Sequence, residues 1–249
     1  MKTETTPKKA AETPSEFAQG AKDSVPIALG YLAVSFSVGI MAANGGFGIL
    51  QASVMSMTNM TSAGEFAGIQ VIAFGGALAE LALTQLIINL RYALMSLSLS
   101  QKLSGEVTLW QRFVVAAVNT DEIFALAVKR AKSLTFRYML GLEIFPVVGW
   151  TTGTFLGAFS STLMPESVSR TMSVLLYGMF IAIVVPEARR ARPILVVSLL
   201  AVVLSCLFHW APGLKEVSFG IAVIVCTVAA SAVGAVLFPL SDTKQGDGE

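Results

Sequence analysis

The sequence predicts an all-α integral membrane protein, a polytopic helical bundle of about seven to eight membrane segments with broken or short helices near 47–65 and 69–103. Three observations predict it. Of 249 residues, 54% are hydrophobic and only 13% charged, against about a quarter charged in soluble domains. The apolar surplus, a mean hydropathy of +0.71, is gathered into repeated runs near the length that crosses a bilayer. Lys and Arg cluster in the polar joints between those runs, where they set orientation. No basic patch interleaved with aromatics points to nucleic acid.

Residues 1–24 are polar, mixed in charge and rich in Thr, Lys and Pro, and read as a cytoplasmic tail. They lack the apolar core and small-residue cleavage site of a signal peptide. The first span, Val25 to Ala43, is therefore expected to persist as an uncleaved anchor. Pro26 suits its first turn, and Gly30, Ser35, Ser37 and Gly39 offer small residues for close helix contact. Asn44-Gly45-Gly46 ends it in a tight turn. Phe47 to Met57 is apolar but short for a span. The polar patch Thr58 to Glu65, with Asn59 inside it, reads either as a helix interrupted within the bilayer or as a surface loop.

Val71 to Tyr92 is long and apolar enough to cross as one helix, yet it carries Glu80, Thr84, Gln85, Asn89 and Arg91. With successive residues about 100° apart, Glu80, Thr84 and Arg91 share a stripe roughly 40° wide, with Gly76 beside it. An ionised side chain facing hydrocarbon costs about 2.5 to 3.5 kcal/mol, so this face is expected to line a protein interior or a wetted pathway. Arg91 has a second reading, snorkelling to the interface, which the short arm of Glu80 does not allow. Ala93 to Leu103 is serine-rich, either the second half of a broken helix or an interfacial piece.

Trp110 to Val128 is expected to span, with Asn119, Thr120, Asp121 and Glu122 in mid-run. Adjacent carboxylates inside a span point to function. Lying about 100° apart on a helix, only one is expected to face a given cavity squarely, the other pairing with a cation or taking up a proton. Further spans are expected over Tyr138–Phe159, kinked at Pro146, then Thr171–Val185, closing at Pro186. Glu143 is read as either buried or near the membrane edge. Pro193–Phe208, ending at an interfacial His209-Trp210, and Ser218–Phe238 complete the set. Residues 25–240 thus form a single transmembrane transport domain, and 241–249 a polar tail of disordered composition. Cys206 and Cys226 sit in apolar runs without metal-site spacing, so neither a disulfide, a metal nor a cofactor is implied.

If the amino terminus is cytoplasmic and the chain crosses about eight times, the 129–137 and 189–192 clusters and the carboxyl tail are cytoplasmic too. The 103–112 joint fits poorly, because Lys102 and Arg112 would lie outside. A re-entrant 47–65 would require a compensating change before Lys129.

Two blocks carry a likeness. Ile88-Asn89-Leu90-Arg91-Tyr92, followed by Leu94-Met95-Ser96, resembles the Asn-Leu-Arg-His block of the AzlC family of branched-chain amino acid exporters. Thr120-Asp121-Glu122-Ile123-Phe124-Ala125-Leu126 resembles its Thr-Asp-Glu-x-Phe-Ala block. Ala63-Gly64-Glu65-Phe66-Ala67, Trp150 with Gly157, and Tyr177-Gly178-Met179-Phe180 are similar more weakly, and the likeness extends from roughly Phe17 to Leu240. The resemblance implies a permease that moves leucine, isoleucine, valine or analogues outward, acting with a separately encoded small hydrophobic subunit of the AzlD type. Glu65 stands where the family usually has Gln, and Tyr92 where it usually has His.

The expected function is a secondary transporter of a small amphipathic zwitterion in the cell membrane. Arg91 or a half-helix N-terminus would take the substrate carboxylate, and Asp121, Glu80 or Glu65 its ammonium. Asn59, Thr84, Asn89, Asn119 and Glu122 complete the candidate substrate- and ion-binding set. No G-x-x-x-x-G-K-[ST] string occurs, so an ion or substrate gradient would supply the energy. H-E-x-x-H and G-x-S-x-G are absent as well, which disfavours an enzyme. The alternative is a channel or scaffold subunit, inactive without its partner; a homo-oligomer is compatible with either.

Overall fold

The computed structural model describes residues 15–239; residues 1–14 and the expected carboxyl tail lie outside the described residues. The helices are α1 (Glu16–Asn44), α2 (Ile49–Thr58), α3 (Ala63–Ala73), α4 (Leu78–Lys102), α5 (Leu109–Ala117), α6 (Asp121–Lys129), α7 (Phe136–Ser161), α8 (Glu166–Arg190), α9 (Arg192–Trp210) and α10 (Phe219–Leu237). No β-strand forms among the described residues beyond one isolated bridge. Ten helices, five of them long and apolar enough to cross a membrane among the described residues, make the chain an all-α membrane bundle.

The first helix starts well ahead of Val25. Ser15 accepts a hydrogen bond from the Ala18 N–H, and the Glu16 carboxylate is held by Arg130 at 3.3 Å and by the Thr135 hydroxyl. Residues 16–24 are helical because they dock on the α6–α7 joint. Pro26 consequently lies inside α1 and not in its first turn.

The spine of the molecule is the seam between α1 and α7. Gly20 abuts Tyr138 and Leu142, Gly141 abuts Phe17 and Ala21, and Gly39 abuts Thr154 and Ala158. Early residues meet early and late meet late, so the two helices run parallel. The backbones touch: a Cβ on Gly157 would lie 1.9 Å from the Phe36 carbonyl oxygen. This is small-residue packing, which lets dispersion hold helices together where lipid offers no hydrophobic drive.

Parallel helices require an odd number of crossings between them. The contacts show that α4 alone crosses. Its carboxyl end meets the α6–α7 joint, where Leu103 and Leu134 form a bridge and Lys102 donates to the Val128 carbonyl. Its amino end meets the start of α10, where Glu80 accepts from the Gly220 N–H at 2.8 Å. The α2–α3 pair begins and ends at one side, with Ala73 against Gly45 at the end of α1. The α5–α6 pair does the same at the other side, with Arg112 donating to Ser100 and α6 closing beside Lys102. Each of α5 and α6 has 9 residues, about 14 Å of helix and half a bilayer core.

Two expectations fall here. Val71–Tyr92 is not one helix: Gly75, at φ +72, breaks it between Ala73 and Leu78, and α4 then runs unbroken through Ala93 to Lys102. Trp110–Val128 is not a span but a re-entrant hairpin interrupted at Val118–Thr120. The interruption expected within Thr58–Glu65 is present at Asn59–Ser62, and it too belongs to a hairpin.

Beyond the seam, α8 extends to Arg190 with Pro186 inside it, and α9 and α10 pack antiparallel, Gly234 against Val197. Among the described residues five helices, α1, α4, α7, α9 and α10, are long and apolar enough to cross; α8, 25 residues long, must cross as well to join the end of α7 to the start of α9, and the two hairpins make up the remaining membrane segments. Lys102 and Arg112 therefore share a side with Lys129, Arg130, Lys132 and Arg137, which removes the misfit in the eight-crossing topology.

Candidate functional site

The two interruptions meet. Asn59–Ser62 and Val118–Thr120 approach from opposite sides beside the middles of α1 and α7, and between them lies a cavity of about 480 Å³. That volume suits a small ligand. Its walls are apolar at Ile27, Val34, Met60, Ile88, Phe180 and Ile183, and polar where the hairpins break. Irregular backbone at this depth is tolerated only where it is buried or lines a cavity. Ser62 carries the one positive φ of a non-glycine residue among those described, +51, and caps α3 without a side-chain hydrogen bond.

The polar corner is built at the start of α6, with Thr120 as N-cap and both Asp121 and Glu122 in the first turn. Carboxylates are favoured there by the free N–H groups and the helix dipole. Arg91 reaches across from α4 to Asp121 at 2.7 Å, and its guanidinium also touches the Tyr92 hydroxyl at 3.0 Å. The pair is half exposed, 49% and 45%, so it remains available to a ligand. Glu122 accepts from the Tyr31 hydroxyl at 2.5 Å, and Thr120 lies 2.7 Å from the same oxygen. Both carboxylates face one cavity, contrary to the expectation for mid-helix neighbours, because the cavity wraps a helix end where consecutive side chains splay around the opening.

The other candidates go elsewhere. Glu65 is fully buried behind the wall, hydrogen-bonded to Ser56 and, at 2.8 Å, to the Trp150 indole. Asn59 accepts from Thr61 within the break. Asn89 donates to Gln85, which donates to the Gly64 carbonyl, tying α4 to α3. Asn119 donates to Ser96, tying the second break to α4. Glu80 caps α10, and Thr84 is buried beside Gly220. The stripe shared by Glu80, Thr84 and Arg91 thus serves two places, a helix cap at one end and the cavity at the other. Glu143 is buried in α7 with one oxygen lacking a partner.

Sequence reasoning missed Tyr31, Tyr92 and Trp150 as cavity residues. Tyr31 and Trp150 stand edge to face at 5.2 Å and close the cavity against the α1–α7 seam. Their only sequence signal is an aromatic hydroxyl or indole in mid-span, which needs a buried partner.

The chain matches the AzlC protein family over residues 26–164, a region that contains most of the seam, both hairpins and nearly all of the cavity lining. It is 27% identical over 191 residues to the Inner membrane protein YgaZ of Escherichia coli, covering 74% of this chain and 78% of that protein. It is 29% identical over 175 residues to a membrane protein of Archaeoglobus fulgidus, covering 70% and 76%. No solved structure matches. The matched core and the bundle agree on a membrane protein of transporter type, and the chain belongs to the AzlC family.

Proposed function

We propose that the chain exports small amphipathic amino acids, branched-chain ones foremost, as a secondary transporter. One observation carries this reading: a cavity at the meeting of two opposed hairpins that holds a cation and two carboxylates on one wall and aliphatic and aromatic side chains on the other. A zwitterion fits that division. Its carboxylate is met by Arg91 and its ammonium by Asp121 or Glu122, while the alkyl group contacts Ile88, Phe180 and Ile183. Binding would exchange the Arg91–Asp121 pair for two pairs to the ligand, so opening it leaves no charge unmatched. Hairpins entering from opposite sides offer a gate to each face, which suits alternating access.

The basic joints support a cytoplasmic amino terminus in the cell membrane. A small AzlD-type subunit is proposed as partner; the flanks of α8 and α9 leave large apolar surfaces for lipid or such a subunit. The purified chain in liposomes loaded with valine tests the reading. Arg91→Ala and Asp121→Asn should each cut efflux at least about thirtyfold, the equivalent of about 2 kcal/mol for a charge left without its partner. Full efflux in both variants would reject it, and flux that appears only with the small subunit would make this chain the inactive component.

A further inference from the structure

We propose that Glu65 is the proton-binding residue of the transport cycle, set behind the cavity wall and joined to it through Trp150; the inference rests on the transport reading above. The carboxyl group is wholly enclosed. From α7, Trp150 donates its indole N–H to Oε2 at 2.8 Å. From α2, the Ser56 hydroxyl touches Oε1, and Ser56 Oγ lies 2.7 Å from Thr154 Oγ1, also on α7. From α4, Gln85 spends its amide on the Gly64 carbonyl, and from α1 the one titratable neighbour, Tyr31, faces Trp150 and not the carboxyl group. No ion pair reaches Glu65 among the described residues; Arg91, Asp121 and Glu122 are engaged in the cavity. A buried carboxylate without a cation is costly, and taking up a proton removes the cost.

The hydroxyl groups around Glu65 can satisfy it with or without a proton. Three oxygens, of Glu65, Ser56 and Thr154, make two contacts, and Ser56 has a single hydrogen to give. With Glu65 ionised, Thr154 donates to Ser56 and Ser56 to Glu65. With Glu65 protonated, the chain reverses: Glu65 donates to Ser56 and Ser56 to Thr154. The two protonation states therefore differ in the orientation of two hydroxyl groups, and the same heavy-atom arrangement holds either one. At the other oxygen, the charge changes the pull on the Trp150 N–H, and Trp150 abuts Tyr31, whose hydroxyl sits on Glu122. A zwitterion adds no net charge, but its ammonium, when met at Glu122, lies on the Tyr31–Trp150 side of the cavity and favours the ionised Glu65, whereas an empty cavity favours the protonated one. Substrate and proton then exclude each other, and the cycle is an antiport.

The test uses the full chain in liposomes with Trp110→Phe and Trp210→Phe, which leave Trp150 as the sole indole reporter. Its emission should titrate with pH, the titration should vanish in Glu65→Gln, and valine should lower the pH at which it occurs. Glu65→Gln should also lose the acceleration of valine efflux by an inward proton gradient, falling to the rate set by the valine gradient. An unaltered titration in Glu65→Gln, or efflux still driven by the proton gradient, overturns the proposal. If no variant moves valine, the transport reading fails, while the Trp150 titration still decides for or against Glu65. Should Glu65→Gln not insert, Ser56→Ala keeps the carboxyl group and breaks the hydroxyl chain, and it must move the midpoint; an unmoved midpoint overturns the proposal equally.

Discussion

The α1–α7 seam and the α9–α10 pair are both made of apolar helices of spanning length, yet they are held by different means. Along α7 the buried positions include Gly141, Gly149, Gly153, Gly157, Tyr138, Glu143, Trp150 and Thr154 beside Met139, Leu142, Pro146 and Ala158, so polar groups and bare backbone are enclosed together with apolar side chains. In α9 no residue is buried, and α10 buries Gly220 and Ala230. Hydropathy is higher in the second pair, so between these two pairs burial runs against hydrophobicity. The physical reason is that lipid already satisfies a leucine, whereas a carboxylate, an indole N–H or a naked carbonyl needs protein. The working part of the molecule is therefore where hydropathy dips.

The contrast is broken most severely at the seam. Gly157→Leu places side-chain atoms into the Phe36 backbone, an overpacking that the parallel helices can relieve only by separating. The expected cost exceeds about 3 kcal/mol, and size-exclusion of detergent-extracted protein should show loss of the monodisperse species. Gly30, on α1 with nothing near its missing Cβ, should accept alanine without that loss.

A second test concerns which side each hairpin enters from. Single cysteines at Gly105 and Lys132 should be labelled by an impermeant maleimide from one side of the membrane, and one at Lys215 from the other. Eight full crossings would put Gly105 and Lys132 on opposite sides. Labelling in that pattern would remove the re-entrant α5–α6 hairpin and the cavity's second break with it.

How far the sequence already told this depends on whether a feature was local. The polar patch Thr58–Glu65 left an interrupted helix and a surface loop both open, and the interruption lies at Asn59–Ser62, where Asn59, Thr61 and Ser62 cannot continue a lipid-facing helix unaided. Asp121 and Glu122 stood out as charges inside an apolar run, and Arg91 as one that either lines a pathway or snorkels; the structure places all three on one cavity. The break at Gly75 was hidden: Gly75-Gly76 is a turn signal, but long apolar runs on both sides let it pass as part of a span. The α5–α6 hairpin was hidden by length, since two half-helices and a break add up to one crossing, and only the contact of Leu103 with Leu134 distinguishes them. Glu80 was read as a pathway residue from its helix face; its true partner, the Gly220 N–H, lies 140 residues away and no periodicity points to it.

Glu80 also supplies the next test, because it ties the working half to α10. Glu80→Gln keeps the shape and weakens the cap on α10, and should cost about 1 kcal/mol, read as a lowered Tm by thermal unfolding in detergent. Efflux should stay within about twofold of wild type, since Glu80 does not line the cavity. A loss as large as that of Arg91→Ala would return Glu80 to the pathway.

The smallest effect belongs to the lipid-facing helix. Leu199 in α9 is 56% exposed, and its methyl groups meet acyl chains in the folded protein and in the inserted but unpacked one alike. Leu199→Ala should then change stability by less than about 0.5 kcal/mol, with no change in efflux by the chain alone. The same substitution becomes informative with a partner present. If the small subunit docks on α9, Leu199→Ala, or the bulkier Leu199→Trp, should weaken its co-purification while leaving the isolated chain intact. A fall in stability of the isolated chain would instead mean that α9 packs on protein, and the division between a packed half and a lipid-held half would have to be redrawn.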